Sequence, residues 1–235
     1  MNTKQLQGIS IAAILSLSVL STGGISLASA DPEFSNIHFK SAKCRLADPT
    51  YKDAVEEQLG IKVKADGTLA GADCSVKAWF DESGTSLKYQ IKIVGMEVID
   101  TDSNPENDVA KMHFHKAGEF VNNNPDNPKG PNHILNIWQT PSMDDDDLQV
   151  NPMAGLFTGI WDESDTNLAG DPDSTYDITE QATQEILCQG EAFLMVHGNY
   201  DGLLPGFIKA SIQPTPSGIA YCEANGISTE SDLLS

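Results

Sequence analysis

Leu87-Lys88-Tyr89-Gln90-Ile91-Lys92-Ile93 alternates apolar and polar side chains without a break. Successive residues of a β-strand point to opposite faces, so Leu87, Tyr89, Ile91 and Ile93 share one face while Lys88, Gln90 and Lys92 share the other. The stretch predicts a strand with one face in a core and one in water. Six further apolar segments lie around it, at residues 75–80, 109–115, 133–138, 156–161, 192–197 and 207–212, each bounded by Gly, Pro, Asn or Asp. Seven short strands separated by turn signals predict an all-β fold, an antiparallel Greek-key-like sandwich or barrel with long acidic loops and one or two short helices. One helix is expected at residues 50–59, after Asp48-Pro49 and before Gly60. The other is expected at residues 178–187, where Asp177 and Glu180 have capping-box spacing.

Composition narrows the function. The chain has 235 residues, with 34 Asp and Glu against 14 Lys and Arg, a formal net charge of −20. Phosphate neutralisation needs clustered cations, so this balance argues against a nucleic-acid binder and, for the same Coulombic reason, against an anionic membrane surface. Hydrophobic residues make up 40 % of the chain and charged residues 20 %, a composition that can bury a core rather than that of a disordered acidic polymer.

Lys4 is the only charge before Asp31, residues 9–20 are apolar with interspersed Ser, and Ala28-Ser29-Ala30 has the small-x-small form of a cleavage site. Residues 1–30 therefore read as a secretory signal peptide. Their apolar core of about a dozen residues is short of the roughly 20 that a spanning helix needs. Cleavage leaves 13 cations against 34 acids, a net charge of −21. The expected product is secreted or held in the cell envelope, with no membrane span after cleavage.

Cys44, Cys74, Cys188 and Cys222 contain no CxxC pair, which removes zinc-ribbon and thioredoxin readings. In an oxidising compartment two disulfides are expected. Three connectivities are open. Cys44 with Cys74 and Cys188 with Cys222 is preferred because closing shorter loops costs less entropy.

Acidic residues gather in the loops. Asp144 to Asp147 form an unbroken row, and such runs are expected to be solvated faces. Calcium is the sharper alternative. Asp100, Asp102, Asn104, Glu106 and Asp108 alternate as oxygen ligands would, but Pro105 stands where an EF-hand loop needs Gly and Lys111 where it needs Glu. Trp79, Trp138 and Trp161 are expected in the core rather than as a carbohydrate-facing stripe.

His113 and His115 carry the chemistry. Two residues apart on one strand, they place two imidazoles side by side, and His133 and His197 on other strands are available to complete a four-nitrogen site. Imidazole suits copper or zinc. The bland reading is an exposed or hydrogen-bonded polar pair, with His133 and His197 unrelated to it. There is no GxSxG elbow, HExxH, Walker-type loop or GxGxxG fingerprint.

Two family resemblances meet on these residues. The strand YQIKIVGMEV, then VAKMHFHKAG, GLFTGIWDES and GEAFLMVHGNYDGLLPGFIKASI resemble the successive elements of a CHRD domain over about half the chain. Phe193 stands where that family usually has Tyr, and Met195 where it has Asn. The resemblance implies a β-rich extracellular module. It divides the chain into the signal peptide, an N-terminal extension at 31–80 packed on the domain, a CHRD-like β domain at 81–213 and a C-terminal tail at 214–235. The segments MHFHKAGEF, GPNHILN and LMVHGNYDG are also similar to the copper-binding elements of Cu/Zn superoxide dismutase. That resemblance implies copper ligation by His113, His115 and His197, with His133 in the place of the bridging ligand. Residues 134–196 hold no histidine and the only arginine is Arg45, so the family's zinc ligands and active-site arginine have no counterpart.

The expectation is a secreted, non-catalytic CHRD-type binding module with a candidate mononuclear copper site at His113, His115, His133 and His197 and an extracellular or envelope partner. The alternatives are a copper-only superoxide dismutase-like enzyme and a calcium-stabilised adhesive module.

Overall fold

The computed structural model describes residues 36–58, 60–98, 109–117, 133–139, 145–165, 176–198 and 208–229. The first elements are β1 (Phe39–Ser41), β2 (Arg45–Leu46) and α1 (Lys52–Gln58), with a single 3-10 turn at Pro49–Tyr51 before the helix. Next come the small ribbon β3 (Lys62–Val63) and β4 (Leu69–Ala70), and the long strands β5 (Asp73–Phe80), β6 (Leu87–Val94), β7 (Val109–Lys116) and β8 (His133–Gln139). The chain continues through β9 (Gln149–Asn151), β10 (Leu156–Trp161), α2 (Gln181–Cys188), β11 (Ala192–Gly198), β12 (Ile208–Pro214) and α3 (Pro216–Ala224). All seven expected strands are present, with ends within two residues of the expected ones.

The strands pair in the order β8-β7-β11-β12-β1-β5-β6-β10-β9, with β2 alongside β12, and every pairing is antiparallel. The sheet curls into a half-barrel. The long strand β12 makes the corner, since its residues 208–211 pair with β11 while residues 212–214 pair with β1. Curling brings the two arms face to face. Phe114 on β7 meets Tyr89 on β6 at 5.6 Å between ring centroids and Trp161 on β10 at 6.4 Å, and Trp138 on β8 meets Phe157 on β10 at 5.6 Å.

The inner face is filled by the alternation read from β6, whose Leu87, Tyr89, Ile91 and Ile93 are all buried. Each such side chain contributes about 1.5–3 kcal/mol of apolar burial. Trp161 is fully buried and Trp79 nearly so, which leaves no exposed tryptophan stripe of the three. β5 and β6 form one hairpin, closed by Asp81, whose carboxylate accepts from Thr85 N, Ser86 N and Ser83 Oγ. The expected boundary at residue 80 thus runs through a hairpin, and β1 and β5 are members of the main sheet rather than parts of an extension laid on it.

Helix α2 starts later than expected. The Asp177 side chain accepts from Thr179 N and Oγ1 in a local turn, and Glu180 stands at the N-cap without a side-chain cap bond. Asp and Asn compete with helix entry in this way. Helix α3, inside the expected tail, was not foreseen. Thr215 caps it by accepting from Gly218 N, and Pro216 fills the first turn. Gly218 lets α3 approach the His38 backbone, where an added Cβ would collide with the carbonyl oxygen. His38 itself is structural, accepting at Nδ1 from Phe80 N and stacking on Tyr221.

The disulfides join Cys44 to Cys74 and Cys188 to Cys222, with Cα–Cα distances of 5.4 and 6.1 Å. The shorter-loop preference therefore holds. With separations of 30 and 34 residues, each cross-link removes about 3–4 kcal/mol of unfolded-state entropy in the loop-closure picture.

The acidic row departs from expectation. It does so at one position: Asp145 is 2 % exposed rather than solvated, whereas Asp146 and Asp147 are exposed as expected and Asp144 lies outside the described residues; Asp165, in the next loop, is 3 % exposed. Tyr89 OH donates to Asp145, Asp147 N donates to Asp145, and Asp162 N donates to Asp165. Gly159 makes the room, because a Cβ there would overlap the Asp145 carboxylate and the Tyr89 hydroxyl. Burial pushes the Asp145 carboxyl up to about 6 against the opposing bond from Tyr89, and pushes Asp165 up to about 8, helped by the Asp145 charge. The alternating ligand series from Asp100 to Asp108 lies outside the described residues.

Candidate metal centre

On β7 the pleat separates two sets of side chains. Met112 and Phe114 face the aromatic core, and His113 and His115 face the other way. Both sets are buried, with His113 and His115 only 2 % and 1 % exposed. The flanking strands bring the remaining imidazoles to that same outer face.

From β11, His197 stands opposite Lys111, which places it diagonally beside His113, and the two ring centroids are 5.0 Å apart. From β8, His133 stands directly opposite His115, with ring centroids 4.5 Å apart, and its ring lies 4.0 Å from that of His113. The β7–β8 register shifts twice, between Met112 and His113 and again between Phe114 and His115. Asn136 is opposite His113 and His133 is opposite His115, so Ile134 is an extra residue between them on β8. Such a bulge turns the strand and re-aims the next side chain. Without it, His133 and Asn136, three residues apart, would point to opposite faces.

Donor nitrogens of His113, His115 and His133 all lie within 4.8 Å of one another. Nitrogens bound at about 2.0–2.1 Å to one ion lie at most about 4.2 Å apart, so the spacing of the three is within about 1 Å of what a shared ion needs. His197 is adjacent to this trio through His113 but is not among the three whose nitrogens converge.

Asn136 orients His113. Its Oδ1 is 2.5 Å from His113 Nδ1, which also lies 3.1 Å from His133 Nδ1; an amide oxygen only accepts, so the bond to Asn136 places the proton on Nδ1. Among the described residues, His113 Nε2 is buried without a hydrogen-bond partner, as are both ring nitrogens of His197. Leaving such groups unmade costs about 1–3 kcal/mol each. Phe193 stacks on His115 at 5.1 Å between ring centroids and 10° between planes. Met195 stands opposite His113 on the same face.

Burial holds the His113 imidazolium well below the usual imidazole range, with repulsion from His133, His197 and His115 adding to it. Burial, then His133 and Lys111, pushes His197 down to about 4. Both rings are neutral at pH 7, the form that ligates metals. Among the described residues, no other group of three or more His, Cys, Asp or Glu side chains brings its donor atoms this close. Asn136 and Met195 were not legible as neighbours of the histidines, because the register across β7 decides both contacts.

Comparison with known proteins gives no match to a protein-family model and none to a curated protein.

Proposed function

We propose that this chain is an exported CHRD-type β module that binds a single copper ion through His113, His115 and His133, with His197 as the fourth ligand. The observation that carries this reading is the set of buried imidazole nitrogens without hydrogen-bond partners on His113 and His197, beside the converging trio. Buried polar atoms in a folded protein are otherwise nearly always satisfied.

An imidazole set ranks copper above zinc in affinity. The thioether of Met195, a soft donor type, shares the face and further favours copper over a hard cation such as calcium. The chain's own part is to hold neutral rings in place: Asn136 fixes the tautomer of His113, Phe193 holds the plane of His115, and the β8 bulge delivers His133.

Superoxide dismutase-like catalysis is the second reading, favoured by the place of the His133 ring against both His113 and His115. Bound copper would supply one-electron redox chemistry there. The lone arginine, Arg45, is on β2, separated from the His113 strand β7 by β12 and β11 in the row Arg45, Lys209, Met195, His113, so no arginine stands beside the histidines. The binding module is therefore preferred.

The test is equilibrium dialysis of the full chain against equimolar copper and zinc, followed by metal analysis and a superoxide assay. Retention of about one copper per chain in place of zinc is expected, lost in a His113→Ala, His115→Ala variant whose disulfides and circular dichroism are unchanged. A chain that emerges metal-free, or a variant that retains copper like the parent, overturns the site. Superoxide turnover that disappears with the copper shifts the reading to the enzyme.

A further inference from the structure

A surface cleft of about 470 Å³ opens between β2, the start of α1, the β3–β4 ribbon and β12. Its charge is opposite to that of the chain. Arg45, Lys52, Lys64 and Lys209 line it against the single carboxylate of Asp66, whereas the whole sequence has 14 cations against 34 acids. None of the four cations is in an ion pair within 4 Å among the described residues.

The strand register sharpens this. Arg45 and Lys209 are direct cross-strand partners on β2 and β12, so two like charges share one face at neighbouring positions. Directly opposed like charges destabilise a sheet unless something neutralises them. Asp66 accepts from Thr68 N and Oγ1 and Asp48 from Thr50 N and Oγ1, which holds both in local turns; their charges act on Lys64 and Lys209 without forming an ion pair within 4 Å. The Cys44–Cys74 bridge adjoins β2, and Leu46 N donates to Gly67 O, tying the strand to the ribbon turn. The cations are thus set on an anchored frame. Leu46 and Val63, both buried, give the cleft an apolar floor.

We infer that this cleft binds a small, multiply charged oxyanion, the phosphate or sulfate group of a compact organic ester. Arg45 offers a planar fork suited to two oxygens of such a group, and the lysines add point charges around it. The volume lies in the range of small-molecule sites. Repulsion from the distant acidic loops does not prevent this, since at physiological salt the Debye length is about 8 Å and the local cations dominate. Lys209 stands opposite Met195 on β11, so the cleft adjoins the face of the histidine centre, but it shares none of the four histidines.

Calorimetric titration of the full chain with inorganic phosphate, pyrophosphate and phenyl phosphate, at matched ionic strength in chloride, tests it. Saturable binding is expected, weakened at least about tenfold in Arg45→Gln, Lys209→Gln. Without ligand that variant should melt no lower than the parent, since it loses a repulsive pair. Lys64→Glu, placed in the turn beyond β3, should weaken binding without touching a strand pairing. Phenyl phosphate binding more tightly than phosphate supports the ester, whereas pyrophosphate binding best overturns it in favour of a free polyphosphate. No saturable binding up to about 10 mM, or equal affinities in parent and both variants, overturns the inference.

Discussion

His115 faces His133 across β7 and β8 because β8 carries one residue more than β7 between Asn136 and His133. That extra residue, Ile134, is buried, so the bulge is held by packing rather than left to a flexible edge. The histidine cluster thus depends on a backbone irregularity as much as on histidine content.

Asn136 gives the first prediction. Its Oδ1 fixes the proton of His113 on Nδ1, and loss of such an outer partner typically weakens a metal about 10- to 100-fold. Asn136→Ala should lower copper affinity by that order while keeping the fold, read by competition with a chromophoric copper chelator. Unchanged affinity would show that His113 is oriented by other contacts.

The buried carboxylates predict an unusual pH dependence. Asp165 has a folded value raised from 3.8 to about 8, so it favours the fold most below its unfolded value and that contribution is lost as pH rises through 8. Asp145, raised to about 6, has the same sign but is largely spent by neutral pH. His197, lowered to about 4, has the opposite sign: its stability is present above 6.5 and lost as pH falls through 4. Between pH 6.5 and 8 the Asp165 effect therefore stands alone among these three, and stability should fall by about 1–2 kcal/mol across it. Urea unfolding with the disulfides intact measures this; Asp165→Asn should flatten the slope.

Gly159→Ala should be destabilising by about 1–3 kcal/mol, because the new methyl group overlaps the Asp145 carboxylate and the Tyr89 hydroxyl. The urea midpoint should drop without loss of copper binding, since β10 carries none of the histidines. An unshifted midpoint would show that the two side chains move aside freely.

Removing the bridge between α2 and α3 by Cys188→Ala, Cys222→Ala should cost about 3–4 kcal/mol, from a loop separation of 34 residues. The fall in melting temperature checks it.

The alternation of β6 made the sheet legible, because a strand with one buried face writes its register into every second residue. HxH on β7 was legible for the same reason. His133 was named as a candidate, but its place directly opposite His115, and the contact of Asn136 with His113, were not legible, since a bulge breaks period two and only the partner strand reveals it. The short strands β2, β3, β4 and β9, of two or three residues, are too brief to show periodicity. Helix α3 was readable in principle from Thr215-Pro216, a cap followed by a first-turn proline. Asp145 was misread as solvated because its burial depends on Gly159 and Tyr89, both distant in sequence.

X-ray absorption at the copper edge of the loaded full chain tests the centre most directly. A shell of three or four imidazole nitrogens at about 2.0 Å, with the outer-ring scattering of histidine, is the expected result. A shell of oxygen donors, or a spectrum that does not change when His113 and His115 are both replaced by alanine, would contradict it.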